Sequence, residues 1–330
     1  MREFEFAILG AGAIGSIIGG HLARAGHEVV MLARGARAAY LQRHGITITG
    51  LTEFTVPVTT LSDAATLERA GTLIVAIKTP GTQAALESLQ RVQLDVALSI
   101  QNGPLKNELL TQMFGRERVL GALADTSGEL LPGGEVLFTR NMNIFVGELD
   151  GAESARAQRI AGTLDAAGVH ASAVDAIQTL EWSKFCAWVG LMALAVTTRS
   201  LTWKYLTDPD SALLLVRLVR ETGTLARALG IGLCDRAVLP VATVCASTES
   251  EAAAIIMRIG GEYRAGAPAH RLSALQDLEA GRPLEVNETL GYACDKGREL
   301  RLELPLLECF RRLIAAIDRT RREVLAPPAG

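Results

Sequence analysis

The chain has 330 residues, a formal net charge of −3, 49% hydrophobic and 21% charged residues. That length leaves room for two domains, and the composition is that of a globular protein rather than a disordered one. The charge gives no footprint for nucleic acid or an acidic membrane surface, and five dispersed cysteines without a CxxC pair argue against a disulfide framework or a zinc site, so no metal is expected.

The opening "MREFEFAILGAG" reads as a strand entering a glycine loop rather than a signal peptide. A helix over "IGSIIGGHLARAG" follows and ends at Gly26, and "HEVVMLAR" is a second strand. "ARAAYLQRHG" reads as helix, "GTLIVAIK" as a buried strand, "GTQAALESLQRV" as helix, and "DVALSIQNG" as a strand ending in a polar turn. Apolar strands alternating with helices predict a parallel sheet covered on both faces. Beyond Leu131, "PGGEVLFTRNMNIFVGEL" suggests strands of a smaller, mixed sheet edge, "ESARAQRIAGTLDAAG" an amphipathic helix, and "VHASAV" a short strand. From Ile177 the pattern is helical, with loops near "LCDRAVLP" and "YRAGAPAH". The expectation is an α/β fold: an N-terminal Rossmann-type doubly wound parallel sheet over residues 1–175 and a C-terminal all-α domain over 176–330. No stretch reaches the ~18 apolar residues of a membrane span, and the cytoplasm is the expected location.

Gly10, Gly12 and Gly15 form GxGxxG between the first strand and its helix. That context points to a dinucleotide: a tight turn, room for a pyrophosphate, and close helix–strand packing, with the N–H groups around Ala13 and Ile14 facing the phosphates. The second strand ends in "MLARGAR", with Ala33 where an NAD-binding fold places an acid, then Arg34 and Arg37. A guanidinium suits a 2′-phosphate, so the expected cofactor is NADP(H); either arginine could instead be a solvated loop residue. Lys78 and Gln101-Asn102-Gly103 close two further strands, at the edge where ligands bind open α/β sheets.

The helix "LEWSKFCAWVGLMALAVTTRS" carries one lysine, Lys184, with Trp188 and Met192 following on the same stripe. A lysine there can stabilise and protonate an oxyanion. Farther on, Glu285 opens a helix after a proline, where a carboxylate also suits the helix dipole.

Taken together, "AILGAGAIGSIIGGHLARAGHEVVMLARG", the strand ending in Lys78, "QNG", "EWSKF" and "LSALQDLEAGRPLEVN" resemble the 2-dehydropantoate 2-reductase (ketopantoate reductase) family, in the 6-phosphogluconate-dehydrogenase-like group. The resemblance implies reduction of ketopantoate by NADPH, giving pantoate for pantothenate synthesis. It implies that Lys184 is the general acid and that Glu285 contacts cofactor and substrate. It further implies that Ser273 holds the substrate carboxylate, that Asn102 is shared by cofactor and substrate, and that Arg34 and Lys78 are cofactor-side cations.

One stretch departs from the family. There the helix carries asparagines four and eight residues after the lysine, and here Trp188 and Met192 take those places and would line the substrate pocket. That favours a more apolar 2-keto acid, with His270 as one polar replacement. The alternatives are such a different reductase, or an NADPH-binding sensor without turnover. The apolar helical domain could supply the face of a homodimer.

Overall fold

The computed structural model describes residues 3–325, with side chains to residue 321. Two compact units divide it, Met1–Gln178 and Thr179–Gly330. The break falls inside the first turn of the helix Ile177–Thr198, a little beyond the 175/176 boundary read from the sequence.

Ten strands of the first unit form one sheet: β1 Phe4–Leu9, β2 Val29–Leu32, β3 Ile46–Gly50, β4 Phe54–Val56, β5 Thr59–Leu61, β6 Arg69–Val75, β7 Gln93–Ser99, β8 Val119–Leu130, β9 Val136–Glu148 and β10 Ala171–Ala173. Along the sheet the order is β5-β2-β1-β6-β7-β8-β9-β3-β4, with β10 beside β9. Every pair from β5 to β8 is parallel. This is the doubly wound order of a dinucleotide-binding fold, with the chain reversing direction across the sheet between β1 and β6.

The strands bury both faces. Ile8, Met31, Ile74 and Leu98 pack with the helix Ala13–Arg24 into one core, while Ala7, Leu9, Val30, Leu32, Leu73 and Val75 face the other. That two-sided burial explains their nearly unbroken apolar sequences. The long β8–β9 hairpin is antiparallel and β3 joins its far side in parallel, so this end of the same sheet is the mixed edge expected from the sequence. Residues 46–61 carry short strands of mixed polarity that gave no sequence pattern.

The second unit is helical. The helix Ile177–Thr198 is almost wholly buried, and the helix Pro209–Ala228 starts with Asp208 capping the Ser211 N–H and proline in the first turn. Gly190 is where these two helices meet: a Cβ there would lie 2.5 Å from Leu215 Cδ1. The helix Glu249–Gly266 opens with a Thr248–Glu251 capping box. No helix among the described residues is long and apolar enough to cross a membrane.

Candidate active site

In the first unit the glycine loop lies at the carboxyl end of β1. Gly10 has φ +108°, and a Cβ on it would lie 2.6 Å from Ile77 Cγ2. A Cβ on Gly15 would lie 2.0 Å from the Gly10 carbonyl oxygen, so this glycine is demanded by packing. Gly12 differs, because a Cβ there meets nothing within 4 Å. The loop is closed behind and open in front, which fits a pyrophosphate approaching the backbone. The helix Ala13–Arg24 begins with no side-chain cap and no acidic residue in its first turn, so its positive end is available to an anion.

Arg37 is a scaffold residue rather than a solvated one. Its Nε donates to the Ala11 carbonyl at 2.8 Å and its terminal nitrogens to the Gly134 carbonyl at 2.6 Å and Ser16 Oγ at 2.9 Å. Ser16 Oγ in turn donates to the Ala11 carbonyl. Burial lowers the Arg37 guanidinium from its ordinary value. Arg34 precedes it as the exposed N-cap of the helix Gly35–His44, next to buried Ala33.

A buried polar network fixes the ends of β6 and β7. Gln101 Nε2 donates to the Ile77 carbonyl at 2.9 Å and to Thr82 Oγ1 at 2.7 Å, while Ser99 Oγ donates to Gln101 Oε1. Lys106, 2% exposed, donates from below to the Gln101 carbonyl at 3.0 Å and to the Ala122 carbonyl. Gln101 thus ties the turn bearing half-buried Asn102 to the strand end bearing exposed Lys78. Gly10, Lys78 and Asn102 therefore share one edge of the sheet. The sequence reading missed the supporting roles of Arg37, Gln101 and Lys106, because each acts through backbone atoms remote in the chain.

In the second unit Lys184 and Trp188 are both partly exposed, whereas Met192 is 1% exposed. Met192 Sδ lies 3.4 Å from Thr289 Oγ1, and that hydroxyl donates to the Glu285 carbonyl. Met192 is thus a packing contact behind the site rather than an exposed lining side chain. Thr289 belongs to a π-turn, Asn287–Gly291, a widened helical turn that often marks functional positions. Around it Tyr292 packs against Trp182 and Phe185, with ring centroids 6.3 and 5.9 Å apart. The Lys184 helix and the half-buried Glu285 are in this way joined. Burial, and then the neighbouring Glu285 carboxylate, raise the Glu288 carboxyl above its ordinary value.

Ser273 is exposed at the start of the helix Ser273–Glu279. His270 is bound locally, its Nδ1 2.9 Å from Thr202 Oγ1 and its ring 5.0 Å from that of Tyr263. No cluster of three metal-ligating side chains occurs among the described residues.

Comparison with known proteins bears on this arrangement. The family model for ketopantoate reductase PanE/ApbA matches residues 6–151, and that for its C-terminal part matches residues 176–318. The chain belongs to the ketopantoate reductase family. It is an oxidoreductase of that family. A curated relative from Archaeoglobus fulgidus, named 2-dehydropantoate 2-reductase, is 27% identical over 96% of this chain and 99% of its own length. The fold is similar to a PanE/ApbA family ketopantoate reductase from Ralstonia eutropha JMP134, with a TM-score of 0.82 and 23% identity over 97% of this chain and 100% of the other. It is also similar to D-mandelate dehydrogenase, solved with NADH and anilino(oxo)acetate, with a TM-score of 0.81 and 18% identity over 97% and 99% of the two chains.

Proposed function

We propose that this protein reduces the keto group of a 2-keto acid with NADPH, the substrate being 2-dehydropantoate and the product pantoate. The observation that carries the reading is the Thr289 bridge, which joins the helix of Lys184 to the turn of Glu285 within one unit of a family member. In this reading Lys184 donates a proton to the oxygen that gains charge, and its ammonium stabilises that charge as it forms. Glu285 receives the polar end of the substrate beside it, and Ser273 and Asn102 hold substrate oxygens.

Gly10, Gly12, Ala13, Ile14 and Gly15 would hold the pyrophosphate of the dinucleotide, Arg34 its 2′-phosphate, and Lys78 a further anionic group. When bound, the reduced nicotinamide supplies the hydride. Support for NADPH over NADH is the lack of an acid at Ala33 and the exposed guanidinium of Arg34.

A second reading has one observation in its favour. Trp188 presents a large apolar ring one turn beyond Lys184, which suits a more apolar 2-keto acid. Oxidation of NADPH with ketopantoate, 2-ketoisovalerate and a longer apolar 2-keto acid separates the two. Fastest turnover of ketopantoate supports the first reading, an apolar winner supports the second, and no oxidation with any of them refutes both.

A further inference from the structure

The stretch from Ser273 to Glu285 is a short helix, a turn and one extended step. Its two ends carry the residues assigned to the substrate. The short helix Ser273–Glu279 leaves carbonyls of its last turn without helical partners. The Asp277 and Leu278 carbonyls accept the backbone N–H groups of Arg282 and Gly281 that close the turn, and each also accepts from the last helix of the chain, Pro305–Leu325. Arg321 donates from one terminal nitrogen to the Asp277 carbonyl at 3.2 Å and to the Leu278 carbonyl. From the other it donates to the Arg282 carbonyl at 2.7 Å and to Asp318 Oδ1 at 3.0 Å. The same Asp318 oxygen accepts the backbone N–H of Leu284, the residue before Glu285, at 3.2 Å. Asp318 is 4% exposed, and Asp277, 6% exposed, closes the turn from within by pairing with Arg282 at 2.6 Å.

We propose that Arg321 and Asp318 form a latch that sets the spacing and orientation of Ser273 and Glu285, and so act as positioning residues for the substrate. The proposal rests on the reading of the site given above. One planar guanidinium spans three backbone carbonyls and a carboxylate, a task a lysine ammonium cannot perform from a single point. Slack in the turn would move Glu285 directly, because Leu284 is held and Glu285 follows it. Nothing in the latch belongs to the glycine loop, so the pyrophosphate anchorage is not expected to depend on it, and the dinucleotide should feel the latch only through Glu285.

The test uses the full chain with Arg321→Ala, Arg321→Lys and Asp318→Asn. Hydrogen exchange of the amides in 277–286 should quicken in the alanine and asparagine variants, while amides of Ile177–Thr198 keep their wild-type rates. The KM for the 2-keto acid should rise at least about tenfold in Arg321→Ala, with partial recovery in Arg321→Lys. The KM for NADPH should stay within about twofold. Where Arg321→Ala fails to fold, Asp318→Asn keeps the shape and one acceptor and reports on the latch alone. Unchanged exchange in 277–286 overturns the latch, whatever the substrate proves to be. Faster exchange with an unchanged 2-keto acid KM and kcat overturns its positioning role. Loss of NADPH binding together with faster exchange throughout the second unit would reduce the pair to a general structural support and also overturn it. A wild-type protein that reduces no 2-keto acid refutes the functional reading, and exchange still decides whether the latch exists.

Discussion

Thr289 Oγ1 lies 3.4 Å from Met192 Sδ and donates its hydrogen to the Glu285 carbonyl. Two distant parts of the chain, one bearing the lysine and the other the glutamate, meet at a single buried hydroxyl. A π-turn makes this contact possible, because its extra residue turns Thr289 toward the buried helix. The thioether accepts the close approach that a branched side chain would resist. Met192 therefore joins the helix of Lys184 to the turn of Glu285 as a buried packing contact.

Lys184 is the residue on which the proposed chemistry depends. Lys184→Ala should lower kcat at least ~100-fold, as loss of a general acid does, while NADPH binding persists. Turnover rates with and without substrate saturation, beside a fluorescence titration of NADPH, read the two effects separately. Wild-type kcat in this variant would remove Lys184 from the mechanism.

The glycine loop offers a paired comparison. Gly15→Ala forces a Cβ to within 2.0 Å of the Gly10 carbonyl, so the helix must shift and the fold should lose stability. Gly12→Ala meets no protein atom and its backbone is extended, so thermal stability should be unchanged. The new methyl would instead occupy the open front of the loop and weaken NADPH binding by about tenfold or more. Equal dinucleotide affinity in Gly12→Ala and wild type would place the pyrophosphate elsewhere.

Cofactor choice is read at Arg34. Arg34→Ala should weaken NADPH much more than NADH, because the 2′-phosphate is the only group that distinguishes them. Affinities for both dinucleotides decide the matter, and equal losses would exclude a 2′-phosphate role for this side chain.

The sheet was legible where strands are buried on both faces, as in β1, β6 and β7, because continuous apolar runs between glycine turns leave few alternatives. It was not legible in β3, β4 and β5, which are short, half-buried and mixed in polarity. At the site, glycine spacing and the isolated Lys184 could be read locally. The support of the site could not. Arg37 reaches Gly134 across 97 positions and Arg321 reaches Asp277 across 44, and neither bond leaves a periodic trace. Met192 was expected to line a pocket because it stands on the stripe of Lys184 where the resembled family carries an asparagine. The stripe is correct, but its far end turns under Thr289.

His21 predicts how stability depends on pH. It is 2% exposed, with Nδ1 donating to the Ala167 carbonyl at 3.0 Å and its ring packed edge-on against Phe54 and Phe138. Burial, with a smaller effect of Arg24, lowers its pKa from the ordinary 6.5. Above that value the ring is neutral in both folded and unfolded chains. As pH falls below it, the unfolded chain takes up a proton that the folded chain refuses, so stability declines toward the lowered folded pKa. The slope from this one group is at most about 1.4 kcal/mol per pH unit. Urea unfolding at successive pH values, for wild type and His21→Asn, should show a smaller decline in the variant. Parallel curves would mean that other groups carry the acid sensitivity.

Trp188 makes the opposite kind of prediction, that removing a polar group does no harm to the fold. Its indole Nε1 is buried and has no hydrogen-bond partner among the described residues, although the ring as a whole is partly exposed. An orphaned buried donor costs roughly 1–3 kcal/mol. Trp188→Phe removes the donor and keeps an aromatic ring, and the lost volume costs little at a position that is not fully enclosed. The variant should be at least as stable as wild type in thermal or urea unfolding, in contrast to the roughly 3–5 kcal/mol lost when a buried tryptophan is truncated to alanine. In the proposed reading of the site, its place one turn after Lys184 gives Trp188 a role toward the substrate. A shift in 2-keto acid preference in Trp188→Phe, with stability held or raised, would assign that role. A variant that loses several kcal/mol would show instead that the indole N–H is satisfied in solution and that the ring is a structural element of the helix.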